Sequence, residues 1–162
     1  MTMEFKKALE EGCYSLGLQG TTKEEIIGEM VDLMIDHGKI EKKDRQTVVD
    51  AISSREKKIS TGIQHGVAVP HGKCNAVNEL VTAVALKKEG VDFGSADGKP
   101  TTIFVMTVSS VFRSGPHLQF LSEISKLLNV PSIREKMLNV ETVEELTSLL
   151  RRLSRQDSKS KL

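Results

Sequence analysis

The pattern of the sequence changes within one stretch, Ser60-Thr61-Gly62-Ile63-Gln64-His65-Gly66-Val67-Ala68-Val69-Pro70-His71-Gly72-Lys73. Upstream of it, apolar residues recur at helical spacing, whereas inside it the apolar run 67–69 indicates a strand that ends at Pro70. Downstream, residues 80–86 and 101–108 are apolar and rich in β-branched side chains, which is typical of strands covered on both faces. The sequence therefore predicts one α/β domain in which a mixed sheet is flanked by helices.

Helices are predicted on both sides of the strand region. Capping signals mark their starts at Thr22, Asp44, Ser114, Pro131 and Thr142. Residues 90–100 are rich in Gly and Asp and are predicted to be a long surface loop. The predicted domain spans residues 1–153. Residues 154–162 have little apolar surface to bury and are predicted to be a disordered tail.

The composition excludes several classes of function. The 162 residues include 23 basic and 22 acidic side chains, a formal net charge of +1, so no general attraction to nucleic acid or anionic membranes is expected. With no Trp and one Tyr, the chain has few side chains on which bases could stack. No stretch resembles a signal peptide or reaches the roughly 18 apolar residues of a membrane span. The sequence predicts a cytoplasmic protein with free thiols at Cys13 and Cys74.

His71 is the leading candidate for chemistry. Pro70 fixes the backbone before it, and Gly72 is predicted to leave the approach to its imidazole open. Neutral imidazole, with an ordinary pKa of about 6.5, is a good nucleophile at neutral pH. A phosphoryl carrier needs such a reversible nucleophile and an open face for its partner, but no cofactor and no metal. The setting of His71 fits that description.

Four other side chains suit a phosphoryl group near His71. Arg55, Ser60 and Thr61 precede it in the sequence and carry N–H or O–H donors. His117 lies in the first turn of a predicted helix, where the helix dipole favours an anion. Its imidazole can donate to a phosphoryl oxygen or orient His71.

Two runs carry a resemblance to a known family: Ser-Thr-Gly-Ile at 60–63 and Gly-Val-Ala-Val-Pro-His-Gly-Lys at 66–73. They resemble the signature of enzyme IIA domains of the bacterial phosphoenolpyruvate-dependent sugar phosphotransferase system, fructose/mannitol type (type 2). The likeness covers residues 5–153 and includes Ser54-Arg55-Glu56 and His117-Leu118. The resemblance implies the IIA type-2 fold and a phosphohistidine intermediate on His71. It also implies that His117 is the site companion, that Arg55 stabilises the phosphoryl group, and that Ser60 and Thr61 are further phosphate contacts.

The resemblance also implies partners. The donor would be the histidine-containing phosphocarrier protein, and the acceptor a IIB domain or a regulated protein that responds to the phosphorylation state. The likeness to stand-alone nitrogen-regulatory members runs from end to end, which favours a regulatory role. A transport subunit for uptake of fructose- or mannitol-type sugars is the alternative.

Two other readings belong to different classes of protein. His65 stands where many relatives carry a small polar residue, and His65, His71, Cys74 and His117 are ligand types that suit zinc. A metal site is therefore one alternative. A protein-interaction module whose histidine is never phosphorylated is the other.

Overall fold

A computed structural model describes residues 1–160 of the chain. The helices are α1 Met3–Glu10, α2 Lys23–Asp36, α3 Arg45–Lys58, α4 Ser114–Leu128, α5 Pro131–Leu138 and α6 Val143–Ser160. The strands are β1 Cys13–Ser15, β2 Val67–Ala68, β3 His71–Lys73, β4 Val81–Val91 and β5 Thr101–Ser109. A single 3₁₀ turn at Lys42–Asp44 precedes α3.

The strands form one mixed sheet, as predicted. Its order is β1-β4-β5-β2, and β3 also pairs with β5. The long strands β4 and β5 are antiparallel to each other, whereas β1 is parallel to β4 and both β2 and β3 are parallel to β5. The single-domain α/β class predicted from the sequence is confirmed.

Both faces of the sheet are covered, which explains the unbroken apolar runs of β4 and β5. One face packs on α2 and α3 through an apolar cluster that includes Met30, Ile52, Ala83, Phe104 and Met106. The other packs on α1, α4, α5 and α6 through a second cluster that includes Phe5, Phe120, Leu146, Val84 and Val105. Neighbouring residues of a strand point to opposite faces, so each strand contributes to both clusters.

The edge that carries His71 differs in detail from the prediction. The strand does not end at Pro70: β2 stops at Ala68, and β3 begins at His71 in the same direction along β5. Pro70 has no N–H to donate, yet its carbonyl accepts a hydrogen bond from the Thr107 N–H at 3.0 Å. The proline interrupts the ladder without breaking the line of the edge. His71 is therefore held by strand pairing on β5.

The loop before β5 and the last helix also differ from the prediction. Strand β4 continues to Val91, and Phe93 in the loop is fully buried, so residues 90–100 are anchored in the core. The predicted disordered tail began at residue 154, whereas α6 is helical to Ser160. Residue Ser154 is buried, and Arg155 pairs with Glu10 at 2.5 Å, so contacts with α1 hold this part of the helix. Residues 161 and 162 lie outside the described residues.

Among residues 1–160, no helix is both long enough and apolar enough to cross a lipid bilayer.

Candidate functional site

His71 is oriented by its own backbone. Its Nδ1 lies 2.8 Å from the carbonyl oxygen of Val69. Because a carbonyl oxygen only accepts, Nδ1 carries the ring proton, and Nε2 keeps a free lone pair. The imidazole is half-buried at the edge of the sheet. The structure thus holds one ring nitrogen as a hydrogen-bond donor and leaves the other as a nucleophile.

His117 lies beside His71. The two ring centroids are 5.5 Å apart, and the planes meet edge to face at 82°. Helix α4 begins at Ser114 and returns over the sheet, which brings its first turn to the edge at β3. His117 is only 1% exposed, and neither of its ring nitrogens has a hydrogen-bond partner among the described residues.

Both imidazoles are neutral at neutral pH. Burial lowers the pKa of His117 to about 4, and the positive charges of His71 in its protonated form and of Lys73 act in the same direction. Burial also lowers the pKa of His71; the Val69 carbonyl opposes this shift, and Arg55 and Lys73 add to it. The ordinary pKa of histidine is already below 7, so the lowered pKa leaves His71 in its unprotonated form, which can act as a nucleophile.

Two cations, Arg55 and Lys73, lie close enough to act on His71. Arg55 lies in the last turn of α3, and its Nη1 donates to the Ile59 carbonyl at 3.0 Å. Lys73 in β3 donates from Nζ to Ser114 Oγ at 2.8 Å. Their positive charge lowers the pKa of His71. The same charge would stabilise an anion bound there.

Ser60 and Thr61 lie in the loop beside the site, but their hydroxyls already donate hydrogen bonds to other parts of the chain. Ser60 Oγ donates to the Phe93 carbonyl at 2.7 Å, and Thr61 Oγ1 donates to Glu56 Oε2 at 2.6 Å. Thr61 is also only 4% exposed. These bonds tie the loop 60–62 to the end of α3 and to the 90–100 loop.

Glu56 is a site residue that the sequence interpretation missed. Its carboxylate is 5% exposed and accepts from the Thr61 N–H at 2.8 Å and from Lys23 Nζ at 2.9 Å. Burial alone would raise the pKa of Glu56, but hydrogen bonds from Thr61 and Lys23 outweigh it and the pKa is lowered. One sequence signal was available: an acidic residue in the last turn of a helix opposes the dipole and therefore calls for another partner.

Glu56 supports His71 through a chain of hydrogen bonds. It holds Thr61, whose carbonyl accepts from the Val69 N–H at 3.1 Å. The carbonyl of Val69 then accepts from the His71 ring. The buried carboxylate therefore fixes the peptide that orients the imidazole.

The structural role of Gly72 differs from the one predicted. A Cβ on Gly72 would lie 3.0 Å from the carbonyl carbon of Ala51 and 3.1 Å from the backbone nitrogen of Ile52. Both atoms belong to α3, the helix that carries Arg55 and Glu56. The glycine lets α3 approach β3 closely, on the side of the strand away from an incoming group.

The structure does not place the four candidate zinc ligands together. Among the side chains that the structure describes, those of residues 1–155, no group of three or more His, Cys, Asp or Glu is placed to hold a metal ion. Cys74 is buried in the apolar cluster under α2 and α3, on the opposite face from His117. His65 is exposed on its loop at a φ of 65°, and its N–H donates to Asp97 Oδ2 at 3.1 Å. The structure brings together His71 and His117 but not the other two candidate ligands.

The family model of "Phosphoenolpyruvate-dependent sugar phosphotransferase system, EIIA 2" matches residues 7–153, a span that contains every residue of this site. The chain belongs to this EIIA type-2 family. Members of the family are phosphotransfer components, so the paired histidines lie in a domain whose relatives handle phosphoryl groups.

Relatives of several kinds share the domain. The fructose-specific EIIA component of Haloferax volcanii is 35% identical over 129 residues, which cover 80% of this chain and 82% of that protein. The fructose-specific EIIABC component of Bacillus subtilis is 33% identical over 91% of this chain, which spans only 23% of that relative's length. The crystal structure of nitrogen regulatory protein IIA-Ntr from Neisseria meningitidis has 27% identity and a TM-score of 0.77, covering 90% of this chain and 97% of that one.

The buried histidines make stability dependent on pH in a defined direction. Because the folded pKa of His117 is about 4, below the value of about 6.5 in the unfolded chain, the unfolded state gains its proton first as the pH falls. The contribution of neutral His117 to the free energy of unfolding is fully present above pH 6.5 and is lost as the pH falls toward 4. At pH 5 the loss from His117 alone is about 2 kcal/mol. Urea unfolding at pH 7 and pH 5 measures this loss.

The matched variant for this prediction is His117→Leu, which removes the titrating group. Its free energy of unfolding should change less between the two pH values than that of the wild type. His71 contributes a loss in the same direction in both proteins, because its pKa is also lowered. Equal pH dependence in the two proteins would contradict the assignment of a neutral, buried His117.

Proposed function

We propose that this chain is a phosphoryl carrier that accepts a phosphoryl group on Nε2 of His71 and passes it to another protein. The observation that carries the proposal is the hydrogen bond between His71 Nδ1 and the Val69 carbonyl. That bond leaves Nε2 unprotonated and fixes the direction of its lone pair. Burial, which lowers the pKa of His71, keeps the ring neutral at neutral pH.

The transfer needs no other reactive group from this chain. The Nε2 lone pair of His71 attacks the phosphorus of a donor phosphohistidine, a new N–P bond forms, and the donor's N–P bond breaks. The bonding electrons return to the donor ring, which leaves as neutral imidazole because its other nitrogen carries a proton, and the ring of His71 takes up the positive charge. Nδ1 of His71 keeps its proton throughout, bonded to Val69. The reverse step delivers the phosphoryl group to an acceptor by the same route.

The surrounding side chains stabilise the transferred group. Arg55 and Lys73 supply positive charge near His71, and His117 supplies a neutral ring whose N–H can donate to a phosphoryl oxygen. We assign Ser60 and Thr61 an indirect part, because their hydroxyls donate to Phe93 and Glu56. They shape the loop that positions Val69.

An apolar rim near the site fits docking of another protein. Large hydrophobic side chains are exposed on the segments that flank the two histidines: Ile59, Ile63, Val111, Phe112 and Leu118. Phe112 is 88% exposed in the link between β5 and α4, just before the helix that carries His117. Exposed aromatic and aliphatic side chains beside a reactive group are typical of a protein interface.

The donor we propose is the histidine-containing phosphocarrier protein. The acceptor is a IIB domain or a regulated protein. The name of the Bacillus subtilis relative joins EIIA with B and C components in one chain, which supports a IIB acceptor. The match to IIA-Ntr extends over 97% of that protein and supports the nitrogen-regulatory role, which we favour. The second candidate is a sugar-transport subunit, supported by the 35% identity to a fructose-specific EIIA component.

The test is the intact mass of the protein after incubation with phosphoenolpyruvate and the general phosphotransferase proteins. We expect a gain of one phosphoryl group that is lost in acid, as a phosphohistidine is. The same incubation without phosphoenolpyruvate is the control. No gain, in a mixture that labels a known acceptor, would leave the unphosphorylated interaction module as the better account. Loss of the label on adding a fructose-type IIB domain would favour transport over regulation.

A further inference from the structure

Unpaired polar atoms are concentrated under the histidine pair. Among residues 1–155, whose side chains the structure describes, five buried side-chain nitrogen or oxygen atoms lack a hydrogen-bond partner. Four of them are Thr82 Oγ1, Thr107 Oγ1 and the two ring nitrogens of His117. The exposed fractions of these side chains are 2%, 0% and 1%, so bulk water does not reach them. Buried polar groups are almost always paired, directly or through an ordered water molecule.

The register of the sheet places the two threonines in one row with His71. Thr107 in β5 pairs with His71 in β3 on one side and with Thr82 in β4 on the other. Neighbouring positions two residues away, Val84 and Val105, belong to the apolar cluster under α4. Because side chains two residues apart on a strand share a face, both threonines point toward α4 as well.

His117 lies over this row, on the face of the sheet that α4 covers. It lies on the buried side of the first turn of α4, the helix that packs on the same face of β5. Its ring touches that of His71, the immediate neighbour of Thr107 across the strand pair. The four unpaired atoms thus share one small region between α4 and the sheet, directly beside the proposed phosphoryl acceptor.

We propose that Thr107 is a positioning residue that binds the His117 imidazole through a bridging water and thereby selects which ring nitrogen carries the proton aimed at the phosphoryl group. A neutral imidazole has one N–H and one lone pair, so a partner on one nitrogen decides the state of the other. Because neither group has a partner within hydrogen-bond distance, the link runs through a bridging water: the Thr107 hydroxyl donates to the water, and the water donates to the lone pair. Thr82 Oγ1, across the strand pair, is also unpaired and is a further partner for that water.

The role that we give to Thr107 rests on the proposed function, whereas the unpaired buried atoms are observed independently of it. If His117 donates to a phosphoryl oxygen on His71, the donor must be the nitrogen that faces His71. A ring free to exchange its two tautomers would present a lone pair to the anion for part of the time. Holding the correct tautomer before the donor arrives removes that reorganisation from the transfer step.

The test compares three variants in the unphosphorylated protein. Thr107→Val removes the hydroxyl at nearly constant volume, and Thr107→Ser keeps it. Thr101→Val is the matched control, because Thr101 is buried at the other end of the same strand and bonds Ser95. The probe is the nitrogen-15 NMR signature of the His117 ring at neutral pH, which reports directly on the tautomer and needs no phosphoryl transfer.

We expect a single tautomer in the wild type, in Thr107→Ser and in Thr101→Val. In Thr107→Val the ring should populate the second tautomer, and phosphoryl transfer to His71 should slow roughly tenfold, as for loss of one hydrogen bond. An unchanged His117 signature in Thr107→Val would overturn the proposal. A shifted signature in a protein that never accepts phosphoryl would keep the Thr107–His117 link and refute the proposed function instead.

Discussion

Replacing His71 by alanine abolishes phosphoryl acceptance: the protein incubated with phosphoenolpyruvate and the general phosphotransferase proteins shows no mass gain where the wild type shows one phosphoryl group. The reason is that the substitution removes the only nitrogen that the structure presents as an oriented, unprotonated nucleophile at this edge. His117 does not replace it, because its ring is 1% exposed and out of reach of a partner's phosphohistidine. The loss is therefore complete and not a reduction in rate.

The matched control is His65→Asn in the same segment. His65 is exposed and has a φ of 65°, a left-handed conformation that asparagine tolerates better than most residues. This variant should accept the phosphoryl group as the wild type does. Thermal unfolding of both variants checks the fold, since the half-buried His71 contributes little to the core. Stoichiometric labelling of His71→Ala would disprove the choice of His71, and loss of labelling in His65→Asn would assign the acceptor elsewhere.

The fold was predictable where its signals are local and dense. The runs at 80–86 and 101–108 have no polar break because each strand is covered by helices on both faces. Strand β1 gives no such signal. Its three residues, Cys13–Ser15, become a strand only by pairing with Ala83, Val84 and Ala85, which are far away in the sequence. Helix α1 was missed because only Phe5, Ala8 and Leu9 mark its buried face among charged neighbours.

The sequence marks His71 within the candidate site more clearly than it marks the residues around it. Pro70 and Gly72 mark His71 in the sequence, although Gly72 proves to serve the packing of α3. The contact between His71 and His117 depends on where α4 returns across the sheet, which no local pattern encodes. Glu56 acts through Thr61, which lies outside its helix, and its only local signal is an acidic residue in the last turn of α3. The place of Thr107 beside His71 depends on the pairing of β3 with β5, which no local pattern encodes.

A second large effect is expected at His117. Replacement by leucine should slow phosphoryl transfer to His71 by about 10²- to 10³-fold, the usual loss when one preorganised donor to developing charge is removed. Single-turnover labelling with a phosphorylated donor gives this rate. The donor and acceptor atoms of the reaction itself remain, so the label still reaches completion at long times.

The same substitution should not lower the stability of the protein. This distinguishes a role of His117 in phosphoryl transfer from a role in the core alone. The imidazole of His117 is buried with neither nitrogen bonded to a protein atom among the described side chains, so burying this polar ring costs free energy even where an ordered water bridges it to Thr107. An apolar side chain of similar size removes that penalty, so His117→Leu should be at least as stable as the wild type at neutral pH. His37→Leu, at an exposed histidine that caps α2, is the control for adding a leucine. A His117→Leu protein that transfers at the normal rate but unfolds more easily would mean that His117 is part of the core alone.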